Sequence, residues 1–188
     1  MELLEASRFL KAKANEAIPG IRVEVVTSGM SSSERGGKSI TLSLENWGGT
    51  YERPLVRLSH ELGHSLQAPV GGFSEMNKPT AALWSFKDEL DATMKGEQFA
   101  IKWRVFLKYQ EVLGEHLSIM IARLSPKSFA LLPTSLSPDQ ALFLVRYLDI
   151  PRIVQTVAKF PQLKAVRDRG VERVRYLLEK LEVKDRRW

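Results

Sequence analysis

The chain is expected to be α+β and predominantly helical: a small N-terminal sheet packed on a helix that carries His60-Glu61-Leu62-Gly63-His64, followed by an all-helical body. Three observations carry that expectation. Strict apolar alternation occurs only in two short runs before residue 46, apolar residues recur three or four apart from about residue 55, and the later turn signals are spaced at helix length. With 188 residues, 44% hydrophobic and 27% charged, the composition excludes a collagen-like or largely disordered chain. A core of ordinary size can form, so the chain is expected to be one compact unit, with its main body over residues 1–124 and a helical extension over residues 125–188.

The first element is a helix over residues 3–17. Leu3, Ala6, Leu10, Ala14 and Ala17 recur on one side, and Pro19-Gly20 stops it. Two strands come next, Ile21–Val25 and Ile40–Leu44, each alternating apolar with polar residues, joined by a loop over Ser31–Gly37. Asn46-Trp47-Gly48-Gly49 breaks the alternation, and Thr50 with Pro54 marks the start of a helix reaching Leu66, with the stripe Leu55, Leu58, Leu62, Leu66. A Gly/Pro-containing loop spans Ala68–Pro79. Ser85 with Asp88 then reads as a capping box opening a long helix, and Gly114 and Ser125-Pro126 punctuate the helical stretch beyond it. Ser137-Pro138-Asp139-Gln140 is a further N-cap, and Pro161 opens a last helix to about Leu181. Trp103, Phe106, Leu107, Val112, Leu113, Leu117, Met120 and Leu124 are spaced like helix packing rather than like a cofactor box.

Zero cysteines exclude a disulfide framework, an iron–sulfur cluster, a thiolate zinc site and a cysteine nucleophile together. Any metal must therefore be held by His and carboxylate. Two of the three histidines, His60 and His64, stand four apart in a predicted helix, which places both imidazoles on one face, a turn apart. That spacing lets them ligate one zinc ion, while Glu61 beside them can act as a general base toward an attacking water. Gly63 costs its helix about 1 kcal/mol relative to Ala, which indicates a neighbour pressed against the backbone.

A catalytic zinc needs a third protein ligand. In the next helix Asp88, Asp91, Lys95, Gln98 and Lys102 form a solvated face, and Phe86, Leu90, Met94 and Ile101 an apolar one. Glu89, Ala92, Thr93, Gly96 and Ala100 form a third face, one carboxylate followed by small residues. Small side chains let two helices pack closely, with Gly63 as the opposite number, and Glu89 is then aimed at the His pair; Asp91 is the runner-up.

His60-Glu61-Leu62-Gly63-His64 followed 25 residues later by Glu89-Leu90-Asp91-Ala92 resembles the zincin metallopeptidases, specifically the gluzincin branch and its thermolysin-like and ImmA/IrrE-type members. The resemblance covers about residues 38–100. It implies a Zn2+ cofactor held by His60, His64 and Glu89, and Glu61 as catalytic base. Thr93 departs from the pattern, standing where those families often have the Asp or Asn that orients the first His. The family also runs an edge strand beside the metal for an extended peptide, a place that Ile40–Leu44 can take, though it reads equally as an ordinary sheet strand. An oxyanion stabiliser is implied too, with Tyr51, Tyr109, His116 and Tyr147 as candidates, although His116 in its apolar helix reads first as a core or capped residue.

The expected function is accordingly zinc-dependent hydrolysis of peptide bonds in a protein or peptide substrate. Two other readings stand beside it: a catalytically idle metal-binding interaction protein, and a nucleic-acid-associated zincin protease. The last rests on charge. Residues 151–188 hold 11 Lys/Arg against 5 Asp/Glu, which accounts for the whole net charge of +6, since the remainder balances at 17 and 17. That helix is read first as a solvated face and second as a contact for nucleic acid or another anionic surface. Met1-Glu-Leu-Leu-Glu has no positive start, and no apolar run approaches the roughly 20 residues that span a bilayer, so a cytoplasmic protein with no membrane partner is expected.

Overall fold

Ala6, Leu10 and Ala14 are fully buried along one side of helix α1 (Leu3–Ala17), as their spacing requires. The helix ends where Gly20, at φ +80°, donates its N–H to the Asn15 side chain at 2.9 Å. Strand β1 (Arg22–Val26) then pairs in parallel with β3 (Ser39–Ser43), Val23 opposite Ile40 and Val25 opposite Leu42. Between them the serine segment contributes a short strand, β2 (Ser32–Ser33), antiparallel to β3. The sheet order is β1-β3-β2, which leaves β3 in the middle. The computed structural model describes residues 3–33, 35–45, 49–69, 78–148 and 164–185. Asn46–Gly48, most of the Ala68–Pro79 loop, the Pro161 start of the last helix and the side chains of Leu163 and Val166 lie outside them.

Helix α2 (Glu52–Ser65) buries Leu55, Leu58 and Leu62, whereas Leu66 comes after its last turn and is exposed. Arg57 donates to the Ser43 carbonyl at 2.8 Å, tying α2 to the end of β3. Helix α3 (Lys78–Lys102) begins earlier than expected. Ser85 and Asp88 lie inside it and cap nothing, because Ala81, Ala82 and Leu83 are strong helix formers that carry the helix back toward Pro79.

The break after α3 also differs from expectation. The chain turns at Trp103–Val105, where Arg104 takes φ +59°, and α4 (Phe106–Arg123) runs uninterrupted through Gly114. Gly114 is a packing glycine: a Cβ there would collide with the Tyr147 carbonyl oxygen. Ile101 and Leu107, placed in apolar faces by spacing, are exposed. Ser125 caps α5 (Pro126–Ser135) by accepting from Ser128 N–H, and Ser137, the expected N-cap of α6 (Pro138–Tyr147), also forms a capping box with Gln140. Helix α7 (Lys164–Asp185) buries Val174, Leu177 and Leu181.

The architecture is therefore α+β and predominantly helical, with seven helices and one three-stranded mixed sheet among the described residues. Two compact units divide the chain, residues 1–71 with 91–109, and residues 72–90 with 110–188. In the first, α1 and α2 pack on the sheet. The second is helical, and α7 lies against α5 and α6 within it. No described helix is long and apolar enough to cross a membrane.

Candidate metal centre

Close backbone approach between α2 and α3 builds the centre. A Cβ at Gly63 would fall on the Ala92 carbonyl oxygen, and one at Gly96 would meet Ser59 O and the Tyr109 hydroxyl. Ala92, Thr93 and Ala100 are completely buried along the same seam. The small-residue face read from the sequence is thus the one that packs, and the cost of Gly63 is explained by its neighbour. Helix α3 is continuous through Leu90–Asp91, with Glu89 one turn before Thr93.

One ligand atom from each of His60, His64 and Glu89 lies within 4.8 Å of the other two, an arrangement that can hold a metal ion. The imidazole rings of His60 and His64 stand 4.8 Å apart, nearly perpendicular, as two side chains one helical turn apart must to turn a nitrogen toward a common point. Asp91 instead pairs with Lys95 at 3.0 Å on the neighbouring face, so the carboxylate that joins the histidines is Glu89.

Partners on the far side of each ring fit the same use. His64 Nδ1 lies 2.9 Å from Gln67 Oε1. Arg35 Nε, which can only donate, also reaches that oxygen at 3.3 Å, which identifies it as an acceptor and His64 Nδ1 as the protonated nitrogen. His60 Nδ1 lies 3.4 Å from Thr93 Oγ1, a hydroxyl that can either donate or accept. A neutral His64 protonated at Nδ1 carries its lone pair on Nε2. Tyr109 in turn donates to the Thr93 carbonyl at 2.8 Å and holds that turn of α3.

Glu61 is buried on the same helix, between the two ligands in sequence. Ser33 Oγ lies 3.0 Å from its carboxylate Oε2 and 2.9 Å from its backbone carbonyl, fixing the side chain against β2. Sequence reading missed Ser33 and Gln67. A polar run of serines carries no periodic signal, whereas Gln67, three residues past His64 at a helix end, stands at a spacing that could have been noticed.

Other expectations sort differently. Ile40–Leu44 is not the free edge, since β3 is flanked by β1 and β2; the outer strand beside α2 is β2. Among the oxyanion candidates, Tyr109 is fully buried at Thr93, Tyr147 stacks on Phe143 at 4.1 Å, and Tyr51 packs on Phe9 at 4.1 Å. His116 is neither core nor cap: its side chain is 48% exposed, and Nε2 lies 3.3 Å from Glu89 Oε2. Comparison with protein-family models, curated proteins and solved structures finds no match.

Proposed function

We propose that the protein is a zinc-dependent metallopeptidase of the gluzincin type. The observation that carries this reading is the convergence of His60, His64 and Glu89 beside a buried carboxylate, Glu61, that is not part of the ligand group. Two imidazoles and one carboxylate without thiolate are the donor set of a catalytic zinc site, which keeps a position open. Bound there, zinc would supply Lewis acidity, polarising a scissile carbonyl and acidifying a water.

The chain's own residues do the rest. Glu61 takes the proton of the attacking water and hands it to the departing nitrogen, a role worth about 100–10,000-fold in rate. Ser33 holds the Glu61 carboxylate in place for that transfer by its contact with Oε2. Gln67 holds the His64 imidazole in the tautomer with its lone pair on Nε2, and Thr93 steadies the His60 ring. The outer side of β2, next to Glu61, takes the part first given to β3: an extended peptide added there would run beside the base.

The test is cleavage of denatured casein and of a mixed fluorogenic peptide library by zinc-loaded protein, beside Glu61→Gln. The expected outcome is hydrolysis by the wild type, loss of at least about 100-fold in the variant, and equal zinc content in both. Undiminished cleavage by Glu61→Gln contradicts the reading. Zinc retained by both proteins with no hydrolysis by either favours an idle metal-binding protein instead.

A further inference from the structure

His60 and His64 each have an outer partner supplied from within two helical turns of the centre, Thr93 and Gln67. The carboxylate ligand has one from farther away. His116, in the middle of α4, places Nε2 3.3 Å from Glu89 Oε2, across 27 residues of sequence. Both residues belong to the same compact unit. An ionised carboxylate can only accept, so Nε2 carries the hydrogen and donates. The Glu89 side chain is 26% exposed, enough for a long, flexible side chain to sample other rotamers unless something holds it.

We propose that His116 is a positioning residue that holds Glu89 in its metal-binding rotamer, completing a set of outer partners in which every ligand of the centre has its own. The inference rests on the reading of Glu89 as a ligand. Outer partners of this kind restrict the ligand before the cation arrives, so less ordering entropy is lost on binding, and their removal weakens metal affinity about 10–100-fold. His116 is half exposed, so its loss removes little packing.

The test uses zinc titration against a competing chelator, and the visible absorption of the cobalt(II)-loaded protein, for wild type, His116→Ala, His116→Gln and Glu89→Ala. Expected are a fall of about 10–100-fold in zinc affinity and an altered cobalt spectrum for His116→Ala, with the melting temperature of the metal-free protein unchanged. His116→Gln, whose amide N–H can still donate to the carboxylate, should recover part of the affinity and the wild-type spectrum. If Glu89→Ala weakens binding while His116→Ala leaves affinity and spectrum as in the wild type, the positioning role is wrong and the ligand assignment stands. If Glu89→Ala leaves affinity unchanged, the ligand assignment itself fails and the inference falls with it.

Discussion

Gln67 shows how much of the centre depends on groups that never touch a cation. Its Oε1 lies 2.9 Å from His64 Nδ1 and is itself held by Arg35, so Gln67→Ala frees the imidazole to turn and to protonate the wrong nitrogen. Zinc affinity should fall about 10–100-fold, measured by chelator competition, and stability by about 1–3 kcal/mol as His64 and Arg35 lose a buried partner. Residues of this class were only partly legible in the sequence. His60, His64 and Glu61 declare themselves because a fourfold spacing has one geometric meaning on a helix. Glu89 was legible only through the small residues after it, which told which face of α3 meets α2. Ser33 and His116 come from a loop and a distant helix, and contacts that depend on the path of the chain leave no local pattern.

At the scale of elements, α2 packs against the C-terminal part of α3 along a seam of small residues that runs beside His60 and His64. Gly63→Ala would drive a methyl group into the Ala92 carbonyl and push the helices apart. Overpacking of this kind costs about 1–3 kcal/mol, so the melting temperature should drop by several degrees and zinc affinity should fall with it. Thermal unfolding and zinc titration of the same variant check both effects. A second inter-helix tie is electrostatic: Glu16 on α1 meets Lys102 of α3 at 2.7 Å and Lys13 at 3.0 Å. Hydrogen bonds from Lys102 and Lys13 hold its carboxyl below the ordinary value of 4.5. A lowered folded-state pKa means the stabilisation is present above pH 4.5 and is lost as the pH falls through the folded value. Urea midpoints should therefore differ slightly between wild type and Glu16→Gln at pH 7 and 50 mM salt (about 14 Å of Debye screening), and converge in acid or at high salt. Helix starts with Ser-Pro or small-residue stripes were readable, as α5, α6 and the seam show. The turn at Trp103–Val105 was not, because Arg104 adopts its left-handed conformation without the glycine that normally announces one. The strand β2 was hidden for a related reason: two serines owe their strand form to pairing with β3, not to their own propensity.

Over the whole molecule, the basic charge and the candidate metal centre belong to different helices. The basic C-terminal helix is partly a structural device, since Arg173 of α7 donates to the carbonyls of Ile121, Ala122 and Leu124 at the end of α4 and lies over the Phe129 ring. A cation at a helix C-terminus satisfies carbonyls that have no helical partner, so Arg173→Ala should lower stability by about 1–3 kcal/mol, read from denaturant unfolding. The hydrophobic interior of the first unit is built by Leu10, Ile40, Leu42, Leu58 and Leu62, and of the three candidate ligands only His64 is buried. Removing zinc with a chelator should therefore leave the protein folded, with a melting temperature lower only by the binding contribution. The central claim is that His60, His64 and Glu89 together hold one zinc ion. Its most direct test is zinc stoichiometry and affinity of the wild type beside Glu89→Ala and Asp91→Ala. One tightly held zinc per chain in wild type and Asp91→Ala, with binding lost or greatly weakened in Glu89→Ala, is the predicted result; undiminished binding by Glu89→Ala would contradict it.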